Sequence, residues 1–172
     1  MIATGPLVLI RHECMRRVVI TGMGIVSCIG NGSGDVLVAL RESRCGIRRN
    51  EEYFKNGLRS LVSGSVELDT ESLIDRKVRR FMGPAAAYAY IAMRDAIADA
   101  QLADHDVSNL RTGLIASAGG VSSSNIIVST DIARTRGVKK VGPYMVPRTM
   151  GSSVAACLAT SYRVKGVSYG VT

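Results

Sequence analysis

Three features of this chain have residue types that could do chemistry. The first is Cys157 in "SSVAACLATS", a thiol among small residues, as in a nucleophile loop. A thiolate nucleophile needs a helix N-terminus or a neighbouring cation to hold its charge. Cys157 lies inside an apolar run with no histidine near it in sequence, which fits a buried structural cysteine, and the same reading covers Cys28 and Cys45. The second is Gly22-x-Gly24 in "RRVVITGMGIVSCIG", which follows a β-branched run as a dinucleotide loop would. Its third position is Ser27, and Glu42 sits in "LRESRCG" rather than at the end of a second strand, so the glycines fit a tight strand exit better than a phosphate cradle. The third is charge: Arg76, Lys77, Arg79 and Arg80 form one basic cluster, and Arg134, Arg136, Lys139 and Lys140 a second. Clusters of this kind are either solvated loops or a surface that steers and holds an acidic partner.

The elements that must position these residues follow from the pattern. Val18–Thr21 is expected as a buried strand, and "SGDVLVALRES" as a helix with Val36, Leu37 and Leu40 on its apolar face. Residues 61–68 alternate weakly, as a strand would. Pro84 suits a first helical position, and the helix after it carries Tyr88, Ala92, Ala96 and Ala100 on one face, small enough for a neighbour to pack close. Residues 112–120 read as a core strand, "SSSNIIVSTDIART" as a helix capped by serine, "RTMGSSVAACLATSYRV" as a further helix and "GVSYGVT" as a last strand. The order β, α, β, α, β, α, α, β predicts one α/β layer stack with a largely parallel sheet.

Composition narrows the function classes. The chain has 172 residues, 47% of them hydrophobic, enough for a buried core. No apolar run reaches the roughly 20 residues of a membrane span. Four widely spaced cysteines with no C-x-x-C pair point to a reducing, cytoplasmic compartment, and with only two histidines, His12 and His105, a zinc site is not expected. A formal charge of +8 with little aromatic interleaving and no recognition module argues against nucleic acid. The start "MIATGPLVLIRHEC" lacks the basic beginning and cleavage site of a signal peptide, and Met15 directly precedes "RRVVITG". Residues 1–14 are therefore set apart as a non-native or upstream extension.

From Met15 to Thr172 the sequence resembles the N-terminal part of a β-ketoacyl-acyl-carrier-protein synthase of type I. The resemblance is carried by "RRVVITGMGIVSCIGN", "LIDRKVRRFM", "AIADA", "TGLIASAGG", "VGPYMVP" and "SSVAACLATSYRVKGVSYGVT", in order. It implies the first half, incomplete, of a thiolase-like layered α/β/α/β/α fold, with an apolar face left exposed where the second half would pack. It implies fatty acid chain elongation: a cysteine thiolate takes an acyl group from acyl carrier protein, malonyl-carrier loses CO2, and the enolate attacks the thioester.

The cysteine of that family follows the strand resembling "GVSYGV", and its two histidines lie further on, so the resemblance places all three beyond Thr172. Cys157 then matches a non-catalytic position, and neither His12 nor His105 inherits a role. The chain alone is expected to be inactive, and the rival reading is a non-catalytic module that docks carrier protein or pairs with a full-length subunit. The resemblance implies no cofactor. It makes Lys77, Arg80, Arg136 and Lys139 the carrier-docking candidates, with Arg76 and Lys140 beside them. Arg79 stands where the family commonly has an apolar residue and would broaden the patch. Met150 matches a residue that crosses the family's dimer interface to line the partner's acyl pocket, or is an ordinary core or interface methionine; homodimerisation is likewise implied only by the family.

Overall fold

The structure is a computed structural model and describes residues 17–171. The extension at residues 1–14, with His12 and Cys14, and the terminal Thr172 lie outside the described residues. A bridge between β1 (Val26–Ser27) and β2 (Gly30–Asn31) leads into α1 (Ser33–Arg41). Next come β3 (Arg48–Arg49), α2 (Glu51–Lys55) and β4 (Val62–Ser63), then α3 (Thr70–Leu73), α4 (Arg76–Arg79) and α5 (Pro84–Asp99). After α6 (Asp104–Val107), strand β5 (Leu114–Ser117) enters α7 (Ser123–Arg136) and a 3-10 turn at Val138–Lys140. The chain continues through α8 (Met145–Thr149) and α9 (Ser153–Ser161) to β6 (Ser168–Val171).

Helix α5 is the centre of the structure. Pro84 occupies its first turn, where no N–H partner is needed, and Ala86, Ala87 and Ile91 are buried against Val154 and Leu158 of α9. Ile74 and Met82 complete this core, with Leu114 and Ala116 of β5 and Tyr90 and Tyr162 packed on it. The parallel pair β5–β6 lies beside α9, Leu114 opposite Ser168 and Ser117 opposite Val171. Among the described residues, the sheet expected to be largely parallel is this one pair; β1–β2 and β3–β4 are antiparallel pairs of two residues each.

Several expectations are corrected. Val18–Thr21 is not a strand among the described residues: nothing pairs with it, and Val18 and Ile20 are 93% and 85% exposed. β-branched residues favour a pleat only where a neighbouring strand supplies the ladder. Instead the chain just beyond lies along α5, where a Cβ on Gly22 would stand 2.6 Å from the Ala100 nitrogen and one on Gly24 would stand 2.9 Å from the Ala96 nitrogen. The two glycines permit close approach to the small face Ala92–Ala96–Ala100, and neither has a positive φ that a tight turn would demand. In α1 the buried residues are Val36 and Ala39, while Leu37 and Leu40 face outward. The "core" strand β5 is covered on one face only: Leu114 and Ala116 pack inward and Ile115 is 77% exposed.

The weakly alternating stretch 61–68 contributes only Val62–Ser63 to a strand. The predicted helix around Cys157 is divided in two, because Met150 adopts an extended conformation (ψ 135°) and Gly151 follows before α9 begins. With Ile20, Leu110, Val138 and Val146 also exposed, a large apolar area meets solvent, and no large side chain among the described residues falls below 2% exposure.

Candidate functional site

The first basic cluster is aimed outward by the spacing of its apolar neighbours. Ile74, Val78 and Met82 recur every four residues and pack into the core, so the residues between them cannot. Asp75 caps α4, its Oδ1 accepting from the Lys77 backbone N–H at 2.7 Å. The turn of helix thereby held presents Arg76, Lys77 and Arg80 to solvent.

A groove of about 750 Å³ opens on this face, lined by Arg76, Lys77, Arg79, Arg80 and Arg148 together with Tyr144 and Glu71. Arg80 is its best-fixed cation. Its Nε donates to the Lys77 carbonyl at 3.0 Å, its Nη1 donates to the Tyr144 hydroxyl at 3.3 Å, and its guanidinium carbon lies 5.3 Å from the Phe81 ring centre and 5.2 Å from that of Tyr144. Arg148, half-buried, donates from Nε to the Arg80 carbonyl at 2.9 Å. The backbone of α8 comes close enough here that a Cβ on Gly83 would lie 2.7 Å from the Arg148 carbonyl oxygen.

Arg79 behaves differently from its neighbours. Its Nη2 lies 3.0 Å from Glu71 Oε1 and its Nε donates to Thr70 Oγ1 at 3.3 Å. Glu71 is placed by the cap of α3, where Asp69 Oδ1 accepts from the Glu71 and Ser72 backbone N–H groups at 2.9 and 3.3 Å. Those bonds, the Glu71 N–H first, hold the Asp69 carboxyl below its usual range. The residue expected to broaden the patch is thus already engaged by the one carboxylate in the groove.

No residue of the second cluster lines the groove. Arg134 and Arg136 occupy the last turn of α7, where cations complement the helix dipole, and Gly137 (φ 86°) ends the helix. Lys139 and Lys140 lie exposed on the 3-10 turn that follows. The two clusters are connected through Tyr144, four residues past Lys140, which reaches back to Arg80 and packs edge-on to Phe81 with ring centres 5.0 Å apart. Tyr144 and Arg148 escape a reading by spacing because their contacts with Arg80 cross more than 60 positions; the four-residue apolar repeat was the available sign of the outward face.

Cys157 sits in the interior of α9, half-buried rather than fully buried, its Sγ 3.8 Å from the Phe81 carbonyl. It borders an apolar groove of about 520 Å³ with Phe81, Met82, Pro147 and Ala156. Burial pushes its thiol up from the ordinary value, the opposite of activation. Cys28 is half-buried, its Sγ 2.7 and 2.9 Å from where a Cβ on Gly46 or Gly64 would stand, but Cys45 is exposed and so is not a core cysteine. Met150 is 50% exposed. No group of three His, Cys, Asp or Glu suited to a metal occurs among the described residues, and no helix there is long and apolar enough to cross a membrane.

Residues 15–172 match the family described as "Beta-ketoacyl synthase, N-terminal domain". The chain is 52% identical over 159 residues to 3-oxoacyl-[acyl-carrier-protein] synthase 1 of Haemophilus influenzae, a match covering 92% of this chain and 39% of that protein's length. Among solved structures it is similar to the ishigamide ketosynthase/chain length factor, with a TM-score of 0.80 and 26% identity over 91% of this chain and 40% of that one. It shares its fold also with a ketosynthase solved in complex with a type II PKS acyl-carrier protein: the TM-score is 0.65 at 17% identity, over 90% of this chain and 41% of the other.

Proposed function

The chain belongs to the β-ketoacyl synthase family, as its N-terminal domain, and from that premise we propose that it carries the surface on which such a synthase receives acyl carrier protein. The observation that carries this reading is the groove in which Arg76, Lys77, Arg80 and Arg148 converge while its one carboxylate, Glu71, is engaged by Arg79. Exposed cations of this kind raise the rate of encounter and set orientation more than they add affinity, which suits a partner that must bind, deliver and leave. The carrier-protein complex of the ketosynthase that shares this fold supports the choice of partner. Lys77 and Arg80 form the centre of the contact, with Arg136 and Lys139 at its rim.

For the complete protein we propose decarboxylative Claisen condensation of an acyl thioester with malonyl-carrier, elongating a fatty acyl chain. The chain spans about 39% of the length of the relative it matches, so this activity is not assigned to the 172 residues alone. None of the described cysteines is placed as the acyl-accepting thiolate: a thiolate requires a helix N-terminus or a cation, and Cys157 has neither. Homodimerisation with half-exposed Met150 at the interface belongs to the same proposal; Met150→Asp would shift a dimer to monomer in sedimentation.

The test is a titration of the 172-residue chain with an acidic acyl carrier protein at low and high salt. Binding that weakens steeply with salt, and is lost in Lys77→Glu and Arg80→Glu, is the expected result. Binding indifferent to salt and to both charge reversals overturns the reading. Binding without formation of ketoacyl product supports a docking role for this segment.

A further inference from the structure

We infer that Tyr144 is a positioning residue of the docking groove, holding the Arg80 guanidinium in the orientation that an acidic partner meets; the inference rests on the docking reading above.

Arginine has five N–H donors in a planar fork. In Arg80 the Nε–H is used by the Lys77 carbonyl at 3.0 Å, and one Nη1–H by the Tyr144 hydroxyl at 3.3 Å. The remaining three are one on Nη1 and two on Nη2. The side-on fork, Nε with Nη2, is therefore blocked, and the donors left for a carboxylate are those of Nη1 and Nη2. The guanidinium also lies close to two rings: its carbon is 5.2 Å from the centre of Tyr144 and 5.3 Å from that of Phe81, and the two rings stand at 83° to each other. Phe81 is Arg80's neighbour in the chain and travels with it. Tyr144 comes from another segment and ties the side chain to the rest of the fold.

The backbone is held as well. Arg148, in the helix that Tyr144 precedes, donates to the Arg80 carbonyl at 2.9 Å, so α8 and its cap hold both the backbone and the side chain of Arg80. A guanidinium already in place gives up less rotamer freedom on binding than a free one. Lysine at position 80 would neither stack nor present a fork.

The experiment compares Tyr144→Ala, Tyr144→Phe and Arg80→Ala with the unaltered 172-residue chain, titrating an acidic acyl carrier protein at two salt concentrations. Far-UV circular dichroism verifies that each variant is folded, and Arg111→Gln, which removes one charge outside the groove, serves as control. Tyr144→Ala is expected to weaken binding about two- to fivefold, Tyr144→Phe less because the ring remains, and Tyr144→Ala to add nothing in an Arg80→Ala background. Equal losses with and without Arg80 overturn the inference, as does wild-type affinity in Tyr144→Ala. A second readout needs no partner: the NMR order of the Arg80 Nε–H should fall in Tyr144→Ala. If the unaltered chain does not bind carrier protein, the docking reading fails by itself. The order measurement then still decides about Tyr144, a fall supporting its role and no change overturning it.

Discussion

Tyr162 donates its phenolic hydrogen to the backbone carbonyl of Tyr90 at 2.8 Å, and the two rings lie 5.1 Å apart. This contact joins the end of α9 to the middle of α5, the two helices that form most of the core. Tyr162→Phe keeps the ring and removes the bond, and should lower stability by about 1 kcal/mol in urea unfolding. The same contact predicts a pH dependence. Burial, first, and the neighbouring Tyr90 push the Tyr162 phenol well above its ordinary value of 10.0. The folded state therefore holds a proton that the unfolded chain releases near pH 10. The stabilisation is complete below that pH and declines as pH rises beyond it. Tyr162→Phe should flatten the alkaline part of the stability curve, and an unchanged curve would show that the phenol is not protected.

Gly22 and Gly24 set the distance between the N-terminal segment and α5. A Cβ at either position overlaps helix backbone, which cannot move aside as a flexible side-chain tip can. Alanine at position 22 or 24 should each cost about 1–3 kcal/mol. Gly34, in α1, provides the contrast, because a Cβ added there would meet nothing within 4 Å. Its replacement by alanine should raise stability by about 0.5 kcal/mol, and chemical denaturation of the three variants separates steric from entropic effects.

These glycines show how far the fold was legible in the sequence. Proline at the start of α5, its stripe of small residues and the parallel strands at 114–117 and 168–171 follow from local chemistry, and the structure has them. The β-branched run at 18–21 could not be read the same way, because a strand depends on the neighbour that pairs with it. In α1 an alanine, Ala39, took the buried position expected of Leu40, since proximity to the core, not size, decides which face turns in. The site divides similarly. The cations of α4 are visible as charge interrupted by an apolar repeat of four, whereas Tyr144 and Arg148 become neighbours of Arg80 only through tertiary packing.

The cysteines provide a chemical test of the site assignment. Cys45 is exposed, while Cys157 is half-buried with its thiol pushed up by loss of water. At pH 8 the thiolate fraction at position 157 lies below that of an ordinary cysteine, and access is poorer too. Iodoacetamide labelling followed by peptide mass mapping should modify Cys45 well before Cys157. Faster labelling at 157 would mean a stabilised thiolate there, and would reopen its claim to nucleophilic chemistry.

Glu71 makes the sharpest prediction for the docking groove, because it runs against the usual loss of function. Its pair with Arg79 is on the surface, with the glutamate side chain 77% exposed, so it adds little to stability. Its larger effect is on the field, cancelling one cation of the groove and competing with any incoming carboxylate for Arg79. Glu71→Gln removes that competition while keeping the shape. The variant should bind an acidic carrier protein about two- to threefold more tightly at low salt, mainly through faster association, and show a steeper salt dependence. Glu71→Asp should leave binding near its original value, since the charge remains. Weaker binding in Glu71→Gln would mean that Glu71 serves the partner by orienting Arg79, and that Arg79 belongs to the contact in its paired form.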